Sequence, residues 1–422
     1  MVAEDGKHKE ALEHAAGWSA DGLEVEAWRI AQGRSCSALK SAYSFARSAG
    51  SPEEADFPLA FVFIVHHNPW QIFNLFSLLY RPQNRFCVTY DAKSNDVIRS
   101  LVELLESCFP EQVLLPDRHE TITWGRMSVL TSALRCLSTL KDANWRYVQI
   151  VAESDMPLKT NAEMVRVFKA LNGSSDVDLQ PAIRPLYEFT FNYTNDKSLG
   201  MEWLTQYSAE RENVTLKRAF PSASEGVFLM DWSNMNKRND PNRVVYKGSF
   251  AASMSREFVT GMLENEKAKL YLQYLDTAYV PDELYWPTLY WNKQYFGIPS
   301  SADGSSAFYC CGNDSIFPFV RASCVFGVGD LFHLILRPQL MAHKFHADFQ
   351  PAAIVCLSHH IRQRAASADL SRLDAGLYQH LPAVRYHRHL EEGNASSPFE
   401  CCVDRLASHP MLVWKLRKDL SE

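Results

Sequence analysis

At 422 residues the chain exceeds a minimal module and suits one large α/β domain with elaborations, or two domains. Its 46% hydrophobic and 22% charged residues fit a globular protein with a sizeable core. A net charge of −6 without a long basic run excludes the basic stripe of a nucleic-acid binder.

Residues 1–56 are polar, with Ser/Ala-rich segments and little periodicity, and read as a stem or N-terminal extension. The opening MVAEDGKHKEALEHAAGWSADG is charged and helix-like, with neither the apolar core of a signal peptide nor a membrane span. Either an anchor is missing from this chain or the protein is cytosolic. Organisation begins at Pro58. Leu59–Val65 is a continuous apolar run, as in a strand buried on both faces. Trp70–Tyr80 predicts an apolar helix with Pro82 past its end. Arg85–Tyr90 predicts a strand, Asn95–Cys108 an amphipathic helix and Gln112–Leu115 a short strand. Trp124–Leu140 then predicts a long helix, Arg146–Ala152 a fourth strand and Asn161–Leu171 a helix.

This alternation implies an α/β fold with a mostly parallel, doubly wound sheet, which binds ligands beyond the carboxyl ends of its strands. The residues leaving those ends are His66–His67, Asp91 and Glu153-Ser154-Asp155. Asp91 suits hydrogen bonds from a ribose or a base, although a turn aspartate would look the same.

From 173 to 245 turn formers accumulate, and the region reads as an elaboration near an acceptor cleft. Tyr246-Lys-Gly-Ser249 leads to a helix from Ser255 to about Leu263. Asp276 to Trp286 is rich in carboxylates and flanked by aromatics, residues 297–315 are loop-like, and 319–363 close the core. Residues 364–422 read as a polar tail, leaving 57–363 as the main α/β domain.

Two stretches carry chemistry. Arg321–Lys344 reads as a strand over Ser323–Phe326, a turn at Gly327–Asp330 and a helix from Leu331. Its glycines allow a close backbone approach or positive φ, while an arginine and a lysine bracket the segment. Arg offers a planar fork and Lys a point charge to a pyrophosphate. A Walker or dinucleotide motif is excluded, since neither a third glycine nor a Lys-Ser/Thr pair follows. Glu283, after Val280-Pro281 and beside Tyr285, Trp286 and Tyr290, is the best general base, with Asp282 competing. No metal is expected: paired histidines on a strand face opposite ways, and Glu153-Ser154-Asp155 serves an ion only if both carboxylates face it.

Ten cysteines without a CxxC suit disulfides better than zinc. Sequons at Asn172, Asn192, Asn213, Asn313 and Asn394 also point toward the secretory pathway.

Several ordered segments together resemble the core-2/I-branching β-1,6-N-acetylglucosaminyltransferase family (glycosyltransferase family 14), over about residues 34–363. They are SCS, EEADFPLAFVFIVHHNPWQ, LLYRPQNRFCVTYDAKS, SCF, NWRYVQIVAESDMPLKTN, YKGS…SREFV, DTAYVPDELYWPTL and RASCVFGVGDLFHL…MAHKF. The later ones most resemble the nematode-type branch. The resemblance implies a GT-A fold and an inverting, metal-independent transfer from UDP-N-acetylglucosamine to a sugar 6-hydroxyl of a glycan or glycoprotein. It implies Glu283 as base and Arg321 with Lys344 on the diphosphate. It also implies donor contacts from Ile64, Val65, His66, Asp91, Ala92 and Lys93. Ala92 stands where the family often has Arg, and Thr121 where it has a tyrosine donor contact. Acceptor contacts transfer less well, to Asp178, Arg184, Trp286 and Tyr295. Implied disulfides are Cys36–Cys108, Cys87–Cys136 and Cys324 with Cys311 or its neighbour Cys310, with Cys356 lacking its usual partner. The implied setting is the Golgi lumen, on a type II membrane protein. Alternatives are a xylosyl- or other UDP-sugar transferase of this family, or a non-catalytic glycan-binding relative.

Overall fold

The computed structural model describes residues 10, 13–15, 17–178, 180–181, 246–276, 278, 280–302, 319–321, 325–367, 370–371 and 373–392. Three helices, α1 (Asp21–Gly33), α2 (Cys36–Ala42) and α3 (Pro52–Ala55), occupy the segment read as a stem or N-terminal extension. Ala27, Ile30, Ala31 and Leu39 are buried in the main core, so spaced small apolar residues organise this segment despite its polar composition.

The α/β alternation follows as predicted. Strand β1 is Leu59–Val65, helix α4 Pro69–Leu79, β2 Arg85–Tyr90, α5 Asp96–Cys108 and β3 Val113–Leu114. Then come α6 (Met127–Leu140), β4 (Tyr147–Ala152), β5 (Asp155–Pro157) and α7 (Asn161–Leu171). Boundary differences have local causes. Asn95 caps α5 rather than joining it, its side chain accepting from Val97 N and Ile98 N. Gly125 at φ +72° and the extended Arg126 delay α6 to Met127.

The chain resumes with β6 (Gln180–Pro181), β7 (Tyr246–Lys247), β8 (Ser253–Ser255), α8 (Arg256–Glu264), α9 (Glu266–Leu275), α10 (Asp282–Tyr290) and α11 (Lys293–Phe296). It ends with β9 (Phe319–Arg321), a 3-10 turn (Val328–Asp330), α12 (Leu331–Ile335), β10 (Met341–His343), α13 (Pro351–Ser367), α14 (Ala375–Gln379) and α15 (Pro382–Glu391). The last two helices lie in the stretch read as a polar tail. Leu377, Tyr378, Leu381 and Val384 bury against the core there.

The central sheet runs β3-β2-β1-β4-β8, with β1 to β4 parallel and β8 antiparallel at the edge. β1 lies in the middle and is buried almost throughout, which explains its unbroken apolar run. This mixed architecture is consistent with a GT-A-like fold. A second sheet, β5-β10-β9, stands at the carboxyl end of β4. The strand expected at Ser323–Phe326 is not formed at Val325 and Phe326. The strand role falls instead to Phe319–Arg321, which pairs in parallel with β10.

Cys36–Cys108 ties α2 to α5, and Cys87–Cys136 ties β2 to α6, as the resemblance implies. The Cys310, Cys311 and Cys324 pairing lies outside the described residues. Cys356 has no disulfide partner among the described residues. Cys87 and Cys136 are both fully buried and 49 residues apart in sequence. Replacing both with Ala should cost about 4 kcal/mol in urea unfolding, from the lost restraint on the unfolded chain. A loss below about 1 kcal/mol would contradict that account.

Candidate functional site

The carboxyl ends of β1, β2 and β4 are tied together by main-chain bonds. Asp91 N donates to Val65 O at 3.3 Å, and Glu153 N donates to Ile64 O at 3.3 Å. Glu153 is 5% exposed, and its Oε2 accepts from the backbone N–H of His66 (2.6 Å) and His67 (3.0 Å). The two histidines are therefore fixed through their main chain by one buried carboxylate.

Asp91 serves the turn at this strand end. Its Oδ1 accepts from Lys93 N (3.0 Å) and Ile122 N (3.1 Å), closing a turn, while Oδ2 lies 3.3 Å from Lys93 Nζ. Ala92 N donates to Glu120 O, bringing the exposed Thr121 segment alongside. The expected donor residues Ile64, Val65, His66, Asp91, Ala92, Lys93 and Thr121 thus gather at one end of the sheet. Tyr90 and His119 stack there at 3.8 Å between centroids. Burial, with Arg99 adding to it, pushes the His119 ring below the usual histidine range.

Glu153 and Asp155 do not face one ion. Glu153 binds the amides after β1, whereas Asp155 accepts from Ala152 N (2.7 Å) and lies 2.7 Å from His343 Nδ1.

Glu283 sits in the first turn of α10, and its placement follows from one residue four positions on. Pro287 has no N–H, so the carbonyl of Glu283 loses its helical donor. Gly248 N supplies the replacement at 2.8 Å. Only glycine fits that position, because a Cβ would fall 2.5 Å from Asp178 O and 2.8 Å from Pro287 Cγ. Thr288 secures the same strand, its Oγ1 accepting from Tyr246 N and donating to Tyr246 O. Docked in this way, β7 brings Lys247 Nζ to 2.8 Å from Glu283 Oε2.

Val280, three residues before Glu283, sits at φ +48°, a strained conformation for a β-branched residue. Its N–H donates to Gly125 O at 3.0 Å and its carbonyl accepts from Glu283 N, which joins Glu283 to the Thr121–Gly125 loop. Asp282, the competing carboxylate, is buried, whereas the Glu283 side chain keeps 20% of its surface exposed.

Other expectations change. Trp286 is fully buried and its indole N–H donates to Phe250 O, so it supplies no sugar platform. Tyr285 and Tyr290 are buried too, Tyr290 bonding Ser174. Asp178 is buried behind Gly248. Tyr295 is partly exposed, with Lys267 Nζ 4.6 Å above its ring. Arg184 lies outside the described residues, as do Asn192, Asn213, Asn313 and Asn394. Asn172 caps α7 in a left-handed conformation, its side chain donating to Glu391. Gly327 keeps φ −114°, and the space a Cβ would need is taken by Gln350. The turn thus serves packing against α13 rather than positive φ.

Arg321 ends β9 directly opposite His343 of β10, and Lys344 follows. The two expected cations therefore come from neighbouring strands. Lys247 and His343 were not singled out from the sequence. YKGS and MAHK are visible motifs, but ion-pair partners distant in sequence are not.

A mostly parallel sheet with a carboxylate at a helix start and basic residues past its strand ends is an arrangement consistent with a glycosyltransferase. A model of the core-2/I-branching enzyme family matches residues 59–305, more than half of the chain, and the chain belongs to that family. A mouse N-acetyllactosaminide β-1,6-N-acetylglucosaminyl-transferase is 28% identical, over 82% of this chain and 83% of its own. A human β-1,3-galactosyl-O-glycosyl-glycoprotein β-1,6-N-acetylglucosaminyltransferase is 27% identical, over 75% of this chain and 72% of its own.

Proposed function

We propose that the protein is an inverting transferase moving N-acetylglucosamine from UDP-N-acetylglucosamine to the 6-hydroxyl of a glycan acceptor, without a divalent metal. The observation that carries this reading is the placement of Glu283. It is a part-exposed carboxylate fixed by Gly248, Lys247 and Val280, in a chain whose relatives are named β-1,6-N-acetylglucosaminyltransferases. Glu283 takes the proton of the acceptor hydroxyl as its oxygen bonds to the anomeric carbon. The bond from that carbon to the β-phosphate oxygen breaks, and UDP leaves with the electron pair. Arg321 and Lys344 stabilise the charge that develops on the diphosphate. Ile64 to His66, Asp91 to Lys93 and Thr121 hold the nucleoside. The two disulfides suit an oxidising compartment, in keeping with a Golgi lumenal enzyme acting on O-glycans or related chains.

The test is transfer from UDP-N-acetylglucosamine and from UDP-xylose to a glycan panel in EDTA, together with UDP titration of Arg321→Ala. We expect turnover of the first donor in EDTA and UDP affinity reduced at least tenfold in the variant. Activity abolished by EDTA and restored by Mn²⁺ would overturn the metal-free mechanism. Absence of UDP affinity in the unaltered protein would overturn the donor reading.

A further inference from the structure

We infer that His343 is a third ligand of the donor diphosphate, oriented for that task by the buried carboxylate of Asp155. The inference rests on the donor reading above and adds to it a residue and its positioning partner.

Asp155 is 2% exposed and is fixed at both oxygens: Oδ2 accepts from Ala152 N at 2.7 Å, and Oδ1 lies 2.7 Å from His343 Nδ1. Ser154 Oγ lies 3.4 Å from the same nitrogen. A ring nitrogen held against a carboxylate carries the proton, which leaves Nε2 as the nitrogen that can meet a ligand. Nε2 has no partner among the described residues, and the His343 side chain is 40% exposed. A histidine serving only to bury Asp155 would have no need to keep its far edge open.

The register supplies the location. β10 lies between β5 and β9, so His343 is directly opposite Asp155 on one side and Arg321 on the other. Lys344 follows in the chain, and Phe345 N donates to Ser154 O, holding this strand end against the turn after β4. The row therefore stands where a parallel sheet takes its ligands. Between a fixed carboxylate and an anionic ligand, an imidazole serves by donating one N–H to each. The nearby His346 is a poorer cation, because burial and the Lys344 ammonium push its ring toward the neutral form.

The experiment is calorimetric titration with UDP and, separately, uridine, of the unaltered chain, His343→Ala, His343→Gln and Asp155→Asn. His343→Ala and His343→Gln should weaken UDP about tenfold, as expected for losing a charged hydrogen bond, and leave uridine within twofold. Asp155→Asn should weaken UDP by a smaller factor, again sparing uridine. UDP affinity unchanged in both His343 variants, or UDP and uridine falling by the same factor, would overturn the inference. An unaltered chain that binds UDP beside unresponsive His343 variants removes this inference alone. One that binds no UDP removes the donor reading and this inference with it.

Discussion

Replacing Glu283 with Gln should lower transfer between about 10²- and 10⁴-fold, the span a positioned general base contributes, while UDP affinity stays within twofold. The substitution keeps the side chain's length and shape and leaves untouched the backbone bond from Gly248 N to the Glu283 carbonyl. What is removed is the proton acceptor and the negative charge paired with Lys247. Lys247 gives the result a second arm, since its ammonium meets Glu283 Oε2 at 2.8 Å from a strand that Thr288 and Gly248 pin to α10. In the Gln variant that ammonium faces a neutral amide, so part of the loss will be in placement, visible as raised acceptor KM beside lowered kcat. Single-turnover transfer with UDP binding measured alongside separates these contributions. A Gln variant retaining more than a tenth of the activity would exclude Glu283 as the base and return attention to Asp282.

The sheet was legible in the sequence because each parallel strand is buried on both faces, which writes itself as an uninterrupted apolar run such as Leu59–Val65. Glu283 stood out in the sequence because it follows Val280-Pro281 among aromatics. The surroundings of these residues were not legible. Nothing local tells that Trp286 points into the core, since an aromatic beside a carboxylate serves packing and sugar stacking equally well. Nor does composition show that α1 packs on the main core, because its buried positions are mostely small alanines among charges. The strand misplaced at Ser323–Phe326 reflects a similar limit: short apolar runs do not declare which of them pairs, and β9 wins through its register with β10.

Glu163→Gln should destabilise the protein by about 3–5 kcal/mol, the range for breaking a buried ion pair by removing one partner. Glu163 has no exposed surface. One of its oxygens closes the capping box of α7 on Thr160 N at 2.7 Å, and the other meets the Arg364 guanidinium of α13. Lys159 is buried in the same cluster. Burial pushes its ammonium down to about 8, opposed by Glu163 and reinforced by Arg364. Without the carboxylate, two cations therefore share one buried site, and the double variant Glu163→Gln/Arg364→Met should recover part of the loss. Urea unfolding of both reads the difference, and a single-variant loss below 1 kcal/mol would refute the assignment. The consequence reaches the site through short links. Lys159 Nζ donates to Arg337 O at 2.5 Å, Tyr378 Oη to Pro338 O at 2.5 Å, and Leu158 N to Leu340 O at 2.8 Å. These bonds fix the turn that launches β10, the strand carrying His343 and leading to Lys344. The cluster thus sets the position of the strand end proposed to hold the diphosphate, and Glu163→Gln should weaken UDP more than uridine even where the protein remains folded.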